Sequence, residues 1–348
     1  MHLSYLEAEN VRCLSHIAIH PSPRINVLLG ANASGKTSLL EAIYLLGRGR
    51  TFRKGCVSHL IRDGARRLVV FGRLAEEGIP LGISKGPQGT EIHLGGKPLR
   101  QTSELANRLP LRFINTNSHQ LLEQGAKQRR RLMDWGVFYE EPRFLPAWQR
   151  YARAMRQRNQ ALRREEPLGP WDEMLEQEAV HLHAYRAGYV ERLGPYFSRY
   201  AEGLLENAGV RISYRPGWPL EEGLKASLER SRERDRVAGY TTLGPHRADM
   251  QILWEGRQAQ HWASSGQHKL LVCALSLAQV ALLRERTGRC CLVLIDDLAA
   301  ELDEVHRRRL LRALEALGSQ VFLTGTDRGL LETQGKWFHV ERGQVQES

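Results

Sequence analysis

The chain has 348 residues, of which 42% are hydrophobic and 26% charged. This balance suits a folded protein with a sizeable core, in two domains or one domain with an insertion, and excludes a low-complexity or disordered chain. Lys and Arg number 50 against 39 Asp and Glu, a formal charge of +11 that favours a polyanionic partner, and the longest apolar run, LLVCALSLAQVALL from Leu270, is interrupted and too short to predict a membrane span.

The opening MHLSYLEAEN carries acidic residues and no apolar core of a signal peptide, which argues against export. Five cysteines, Cys13, Cys56, Cys273, Cys290 and Cys291, stand in no metal-ligating spacing. They read as reduced thiols of a soluble, cytoplasmic protein. Residues 1–120 alternate short β-like runs (HIAIH, INVLLG, RLVVFGRL, LGISKG, EIHLGG, LRFIN) with turns, predicting a mixed α/β lobe.

Within this lobe, the buried-strand pattern of residues 25–29 runs into Gly30, Ala31, Asn32, Ala33, Ser34, Gly35, Lys36, Thr37 and Ser38, followed by apolar residues at helical spacing. The stretch fits GxxxxGK[ST]. In such a loop backbone N–H groups cradle phosphates at a helix N-terminus, the lysine reaches the β and γ groups, and the threonine hydroxyl serves Mg²⁺. A nucleoside triphosphate with Mg²⁺ is the ligand expected here, and the loop alone does not say which function it serves.

From 121 to 238 helical patterns dominate. Trp148, Tyr151, Met155 and Leu162 share one helical face, and Trp171, Leu175, Leu182, Tyr185, Tyr189 and Leu193 share another. The segment EEPLGP at 165–170 separates them, so a helical hairpin with a short first arm, about 27 Å over residues 146–164, is predicted. Residues 127–166 hold eleven Lys or Arg against five acids. Arg129, Arg130, Arg131, Arg150, Arg153 and Arg156 are the candidates for phosphate contacts with DNA, extended by Arg48, Arg50, Arg53 and Lys54.

From 239 to 348 the α/β texture returns. Ala263-Ser264-Ser265-Gly266-Gln267 enters an apolar helix, and Ser264, Gly266 and Gln267 can cap an anion there. Leu292–Asp296 followed by Asp297 is a Walker B pattern, with Asp296 for Mg²⁺ and Asp297 for the attacking water. Lys36 and Asp296 are 260 residues apart, so two α/β lobes must fold together around the inserted helices. The layout is that of an ABC-type P-loop ATPase head in the SMC style, with lobe I at 1–120, a helical arm domain at 121–238 and lobe II at 239–348. On the residues alone, a cassette ATPase serving a transporter remains an alternative.

The blocks GANASGKTSLLEAIYLLGRGRTFR, QRRRLMDWGVFY, WQRYARAMRQRNQALR, TTLGPHRADM, SSGQHKLLVCALSLAQ and LIDDLAAELD occur in the order seen in the RecF family, which the chain resembles over essentially its whole length. That resemblance implies an ATP-bridged homodimer on gapped or single-strand/double-strand junction DNA, slow DNA-stimulated ATP hydrolysis, and work with RecR and RecO in loading recombinase during repair, replication and the SOS response. It places Lys36, Thr37, Asp296 and Asp297 in the ATP site of one copy and Ser264 over the nucleotide of the other. Asn115 takes the place of a further Mg²⁺-side residue, Thr326 that of the histidine after the last strand, Arg12 a place near phosphate or on the open surface, and Leu298–Asp303 that of the loop facing the partner subunit. Ala263 and Ser265 depart from the usual LSRGQ signature. No role follows from the sequence for Gly244-Pro245-His246-Arg247.

Overall fold

The computed structural model describes residues 2–53, 57–75, 78–206, 209–297 and 301–348. By contacts the chain forms two compact units, Met1–Ser118 with Leu283–Ser348, and His119–Leu282.

The first unit is built on two six-stranded sheets. One is antiparallel, in the order Leu14–Ile19, Leu3–Val11, Leu68–Leu74, Pro80–Gly86, Gly89–Leu94, Lys97–Pro98. The other runs Gln344–Glu347, Lys336–Glu341, Ile25–Leu29, Gln320–Gly325, Leu292–Asp296, Leu111–Asn115, with all but its first strand parallel. Strands covered on both faces must be apolar throughout. Accordingly Leu292–Asp296 is buried at every position but its last, and Gln320–Gly325 at every position. Helix Lys36–Arg48 packs Leu39, Leu40, Ile43 and Leu46 into one core with Leu3, Leu6, Val70 and Ile83 of the first sheet and Leu28, Leu111, Leu294 and Phe322 of the second. The helix ends at Gly49, whose φ of 65° is the left-handed geometry that closes a helix.

The second unit carries the helical hairpin. Its first helix, Phe144–Arg164, is about 32 Å long at 1.5 Å per residue, and its second, Gly169–Leu205, about 55 Å. The turn between them uses Glu165 at φ 56° and Pro170 in the first turn of the second helix, as the breaker residues predict. Buried ion pairs fix the hairpin. Arg158, fully buried, donates to Asp172 at 2.6 Å and Asp235 at 2.7 Å. Arg186, also fully buried, donates twice to Asp134 at 2.8 Å. A three-stranded sheet, Arg257–Gln258, Asp249–Trp254 and Val210–Arg215, completes the unit.

Helix Ser265–Thr287 has the length and composition to cross a bilayer, yet 78% of its most apolar window is buried in the protein. Its buried polar interruption is paired through its nitrogen: Gln279 Nε2 donates to the Leu132 carbonyl at 2.7 Å and the Tyr189 hydroxyl at 2.8 Å, while Oε1 has no partner among the described residues. Tyr189 in turn lies where only Gly136 leaves room, since a Cβ there would be 1.8 Å from the tyrosine oxygen.

Candidate nucleotide-binding site

The loop after Ile25–Leu29 is shaped by its neighbours. A Cβ on Gly30 would lie 2.1 Å from the Val340 carbonyl oxygen, so no other residue fits. Gly35, at φ 119°, and Ala33, at φ 63°, turn the backbone so that the loop closes over the helix start. Lys36 is only 4% exposed and donates from Nζ to the carbonyls of Gly30 at 2.8 Å and Ala31 at 2.9 Å. An ammonium has three donors, so one is left to point elsewhere. Ser34 Oγ is buried with no hydrogen-bond partner among the described residues. A spare ammonium donor, an orphaned hydroxyl and a helix N-terminus together fit a phosphate group.

The metal side of the site joins distant parts of the chain. Thr37 donates from Oγ1 to Asp296 Oδ1 at 3.1 Å, across 259 residues of sequence. Asn115 ends the neighbouring strand in register with Asp296, its Oδ1 accepting from Ser118 Oγ at 2.9 Å. Threonine, aspartate and asparagine oxygens are the donor set a hard divalent cation takes. Burial, and then the charge of Asp297, raise the Asp296 carboxyl above the ordinary aspartate value, while bonds from Thr324 and Thr37 pull it back down. A cation bound there would relieve the same burden.

Thr324 is a residue that sequence reasoning missed. Its buried hydroxyl lies 3.0 Å from Asp296 Oδ1 and 3.1 Å from Asp297 Oδ1, and accepts the Asp297 N–H at 2.8 Å. It thereby orients both acids, Asp297 holding a strained φ of 50°. Thr326, expected to face the site, is exposed and bonds to neither carboxylate. The strand runs to Gly325, and the inward position falls two residues earlier.

Arg12 is paired within the fold. Its guanidinium is taken by the fully buried Glu41 of the P-loop helix, with Nε to Oε2 at 2.9 Å, and Thr51 bonds to the same carboxylate. Cys13 Sγ sits 3.4 Å from Ser38 Oγ, beside the loop.

In the second unit, Ser264 and Gln267 form a reciprocal cap on helix Ser265–Thr287. The Ser264 N–H donates to Gln267 Oε1 at 2.8 Å, and the Gln267 N–H to Ser264 Oγ at 3.3 Å. Ser264, Ser265 and Gly266 are exposed, and Trp262 beside them is 61% exposed. Leu298, Ala299 and Ala300 of the expected partner-facing loop lie outside the described residues, as do Lys54 and Cys56.

The arginine candidates separate. Arg129 is a correction: at 6% exposure it is a packing residue, its fork closed on Asp249 by two bonds of 2.9 Å and its Nη1 given to Leu122 O and Gln260 Oε1. Arg130 donates to the Ala248 carbonyl at 2.6 Å, and Arg150 pairs with Glu178. Arg131, Arg153 and Arg156 are exposed.

A family model described as the RecF/RecN/SMC N terminal domain matches residues 2–348. The DNA replication and repair protein RecF of Pseudomonas putida (strain GB-1) is 43% identical over 99% of this chain and 98% of its own length. The chain belongs to the RecF family. Its Pseudomonas aeruginosa (strain LESB58) relative, also a DNA replication and repair protein RecF, is 42% identical over 100% of this chain and 98% of its own. A solved structure of the recombination mediator protein RecF with ATP in the RecFOR pathway superposes with a TM-score of 0.87 at 25% identity, covering 100% of this chain and 97% of that one. An SMC head bound to the C-terminal winged-helix domain of ScpA, at 15% identity and TM-score 0.63, shares the fold. The RecF-family fold is thus an α/β head of the ABC ATPase type, and the P-loop and acids described above lie on its parallel sheet.

Proposed function

We propose that this chain is an ATP-dependent DNA-binding protein of recombinational repair and replication, acting as a homodimer closed by ATP on gapped or junction DNA. The observation that carries the reading is the meeting of Thr37 with Asp296 at 3.1 Å, which joins a phosphate loop to a carboxylate pair on one sheet edge. Lys36 turns its ammonium from the loop carbonyls to the β and γ phosphates. Thr37, Asp296 and Asn115 would hold Mg²⁺, which when bound would neutralise phosphate charge. Asp297 accepts the proton of the attacking water, and Thr324 keeps both acids in place. Ser264 and the N–H groups of its helix cap the γ-phosphate held by a second copy.

Hydrolysis removes the group that joins the two copies, so binding favours the closed dimer and turnover opens it. Arg131, Arg153 and Arg156 supply phosphate contacts that carry no base specificity. The reading extends to cooperation with RecR and RecO in loading recombinase and to a slow ATPase stimulated by DNA, which the likeness to RecF proteins supports. Sedimentation velocity with ATP, ADP or no nucleotide, each with gapped and with duplex DNA, tests the reading. The dimer should form with ATP alone and be retained on gapped DNA. A monomer under every condition would overturn it.

A further inference from the structure

We propose that the corner at residues 239–247 is a stacking platform for unpaired bases, with Tyr240 as the residue on which a base of single-stranded DNA lies. The inference rests on the DNA-binding reading above and deepens it, since exposed arginines alone would hold any duplex equally well.

Tyr240 is 47% exposed, and the Arg247 guanidinium lies over its ring, 5.3 Å from the centroid. Two further exposed arginines reach the same loop: Arg163 donates to the Gly239 carbonyl at 3.4 Å, and Arg234 to Thr242 Oγ1 at 2.7 Å. None of these three is paired with a carboxylate among the described residues, whereas Glu233 beside them is already held by Arg236 at 2.8 Å. The patch is therefore cationic around an aromatic face.

The loop that carries Tyr240 is fixed on both sides. The Thr241 N–H donates to Asn159 Oδ1 at 2.8 Å, and the Thr242 N–H to Asp235 Oδ1 at 3.0 Å. His246 braces the corner from within, its Nε2 2.9 Å from the Thr241 carbonyl and its Nδ1 2.7 Å from the Tyr151 hydroxyl. Gly244, at φ 128°, has no room for a side chain, because a Cβ would lie 2.5 Å from that hydroxyl. Thus the Gly244-Pro245-His246-Arg247 motif divides its labour. Its first three residues lock the corner, and Arg247 projects outward with Tyr240.

A pre-ordered ring backed by a guanidinium offers its other face to a flat, electron-rich partner at little entropic cost, and the flanking arginines take the adjoining phosphates. Paired bases in a duplex have no free face to give. The platform therefore distinguishes a gap from intact duplex without reading sequence.

The test uses the full chain with ATP and Mg²⁺ and measures fluorescence anisotropy on a labelled gapped duplex, an oligo-dT strand and a blunt duplex. Tyr240→Ala should weaken binding to gapped DNA and oligo-dT on the order of tenfold, and to blunt duplex less than about twofold. Tyr240→Phe should bind like the wild type, and both variants should still dimerise with ATP. Equal losses on all three DNAs would overturn the platform, as would unchanged affinity in Tyr240→Ala, which would leave the corner to an acidic protein segment. If the wild type bound no DNA at all, the broader reading would fall first. A wild type that binds gapped DNA alongside an equally competent Tyr240→Ala sinks this inference alone.

Discussion

Replacing Thr324 with valine keeps the shape of the side chain and removes one hydroxyl. That hydroxyl accepts the Asp297 N–H at 2.8 Å and sits 3.0 Å from Asp296 Oδ1. A hydrogen bond to a charged group contributes about 1.5–3 kcal/mol, and an orphaned buried N–H costs about 1–3 kcal/mol. With partial relaxation we expect a loss of about 2–4 kcal/mol, read as a lower urea midpoint with an unchanged slope. Part of the loss depends on pH. The Asp296 carboxyl is already raised above 3.8 by burial and by Asp297, so the folded state holds its proton more tightly than the unfolded chain, and stability falls as pH rises through that window. Thr324 lowers the carboxyl, so Thr324→Val raises it further. The extra deficit is absent below the ordinary value and complete above the folded one. Unfolding at pH 4 and pH 8 should show the larger deficit at pH 8. A midpoint unchanged at both would refute the assignment of Thr324 as the brace of the two acids, and an equal deficit at both would place its effect on the Asp297 N–H and not on the Asp296 carboxylate.

Three further outcomes are expected of other parts of the molecule. Arg129→Met should lose about 3–5 kcal/mol in chemical denaturation, because Asp249 is left buried and unpaired, while gapped-DNA affinity of the folded variant stays within about twofold of wild type. Ser264→Arg should abolish ATP-driven sedimentation as a dimer, and the emission of Trp262, 61% exposed next to that serine, should shift on dimerisation in the wild type and be missing in Trp262→Phe. Burial lowers His246 from 6.5 to about 4, so the unfolded chain binds more protons between those values and stability is lost as pH falls through them. The loss should be on the order of 3 kcal/mol, and the slope should flatten in His246→Asn.

Motifs confined to a few consecutive residues are legible in the sequence itself. The loop at Gly30–Thr37 and the acids ending Leu292–Asp296 carry their chemistry in their spacing, and the fold brings them together. The break at 165–170 is equally plain, because proline and a left-handed residue end a helix locally. Thr324 is hidden for the opposite reason. Its place beside Asp296 depends on the pairing of two parallel strands, Ile295 opposite Leu323, which no local pattern announces. Arg129 is hidden within a run of three arginines. On a helix successive side chains point about 100° apart, so charge counting does not tell the one facing Asp249, 120 residues away, from its exposed neighbour Arg131. The length of Gly169–Leu205 is obscured by Pro195, which the helix accommodates.

Strand Ile25–Leu29 lies between Gln320–Gly325 and Lys336–Glu341, so the sheet that supports the phosphate loop is closed by the last tenth of the chain. On the ribosome, at about 5–20 residues per second, that early strand waits roughly 15–60 seconds for its neighbours to be synthesised. A polypeptide released too soon would carry the glycine loop intact yet lack the edge that anchors it. Chains cut before residue 320 should therefore bind nucleotide more weakly than the full chain.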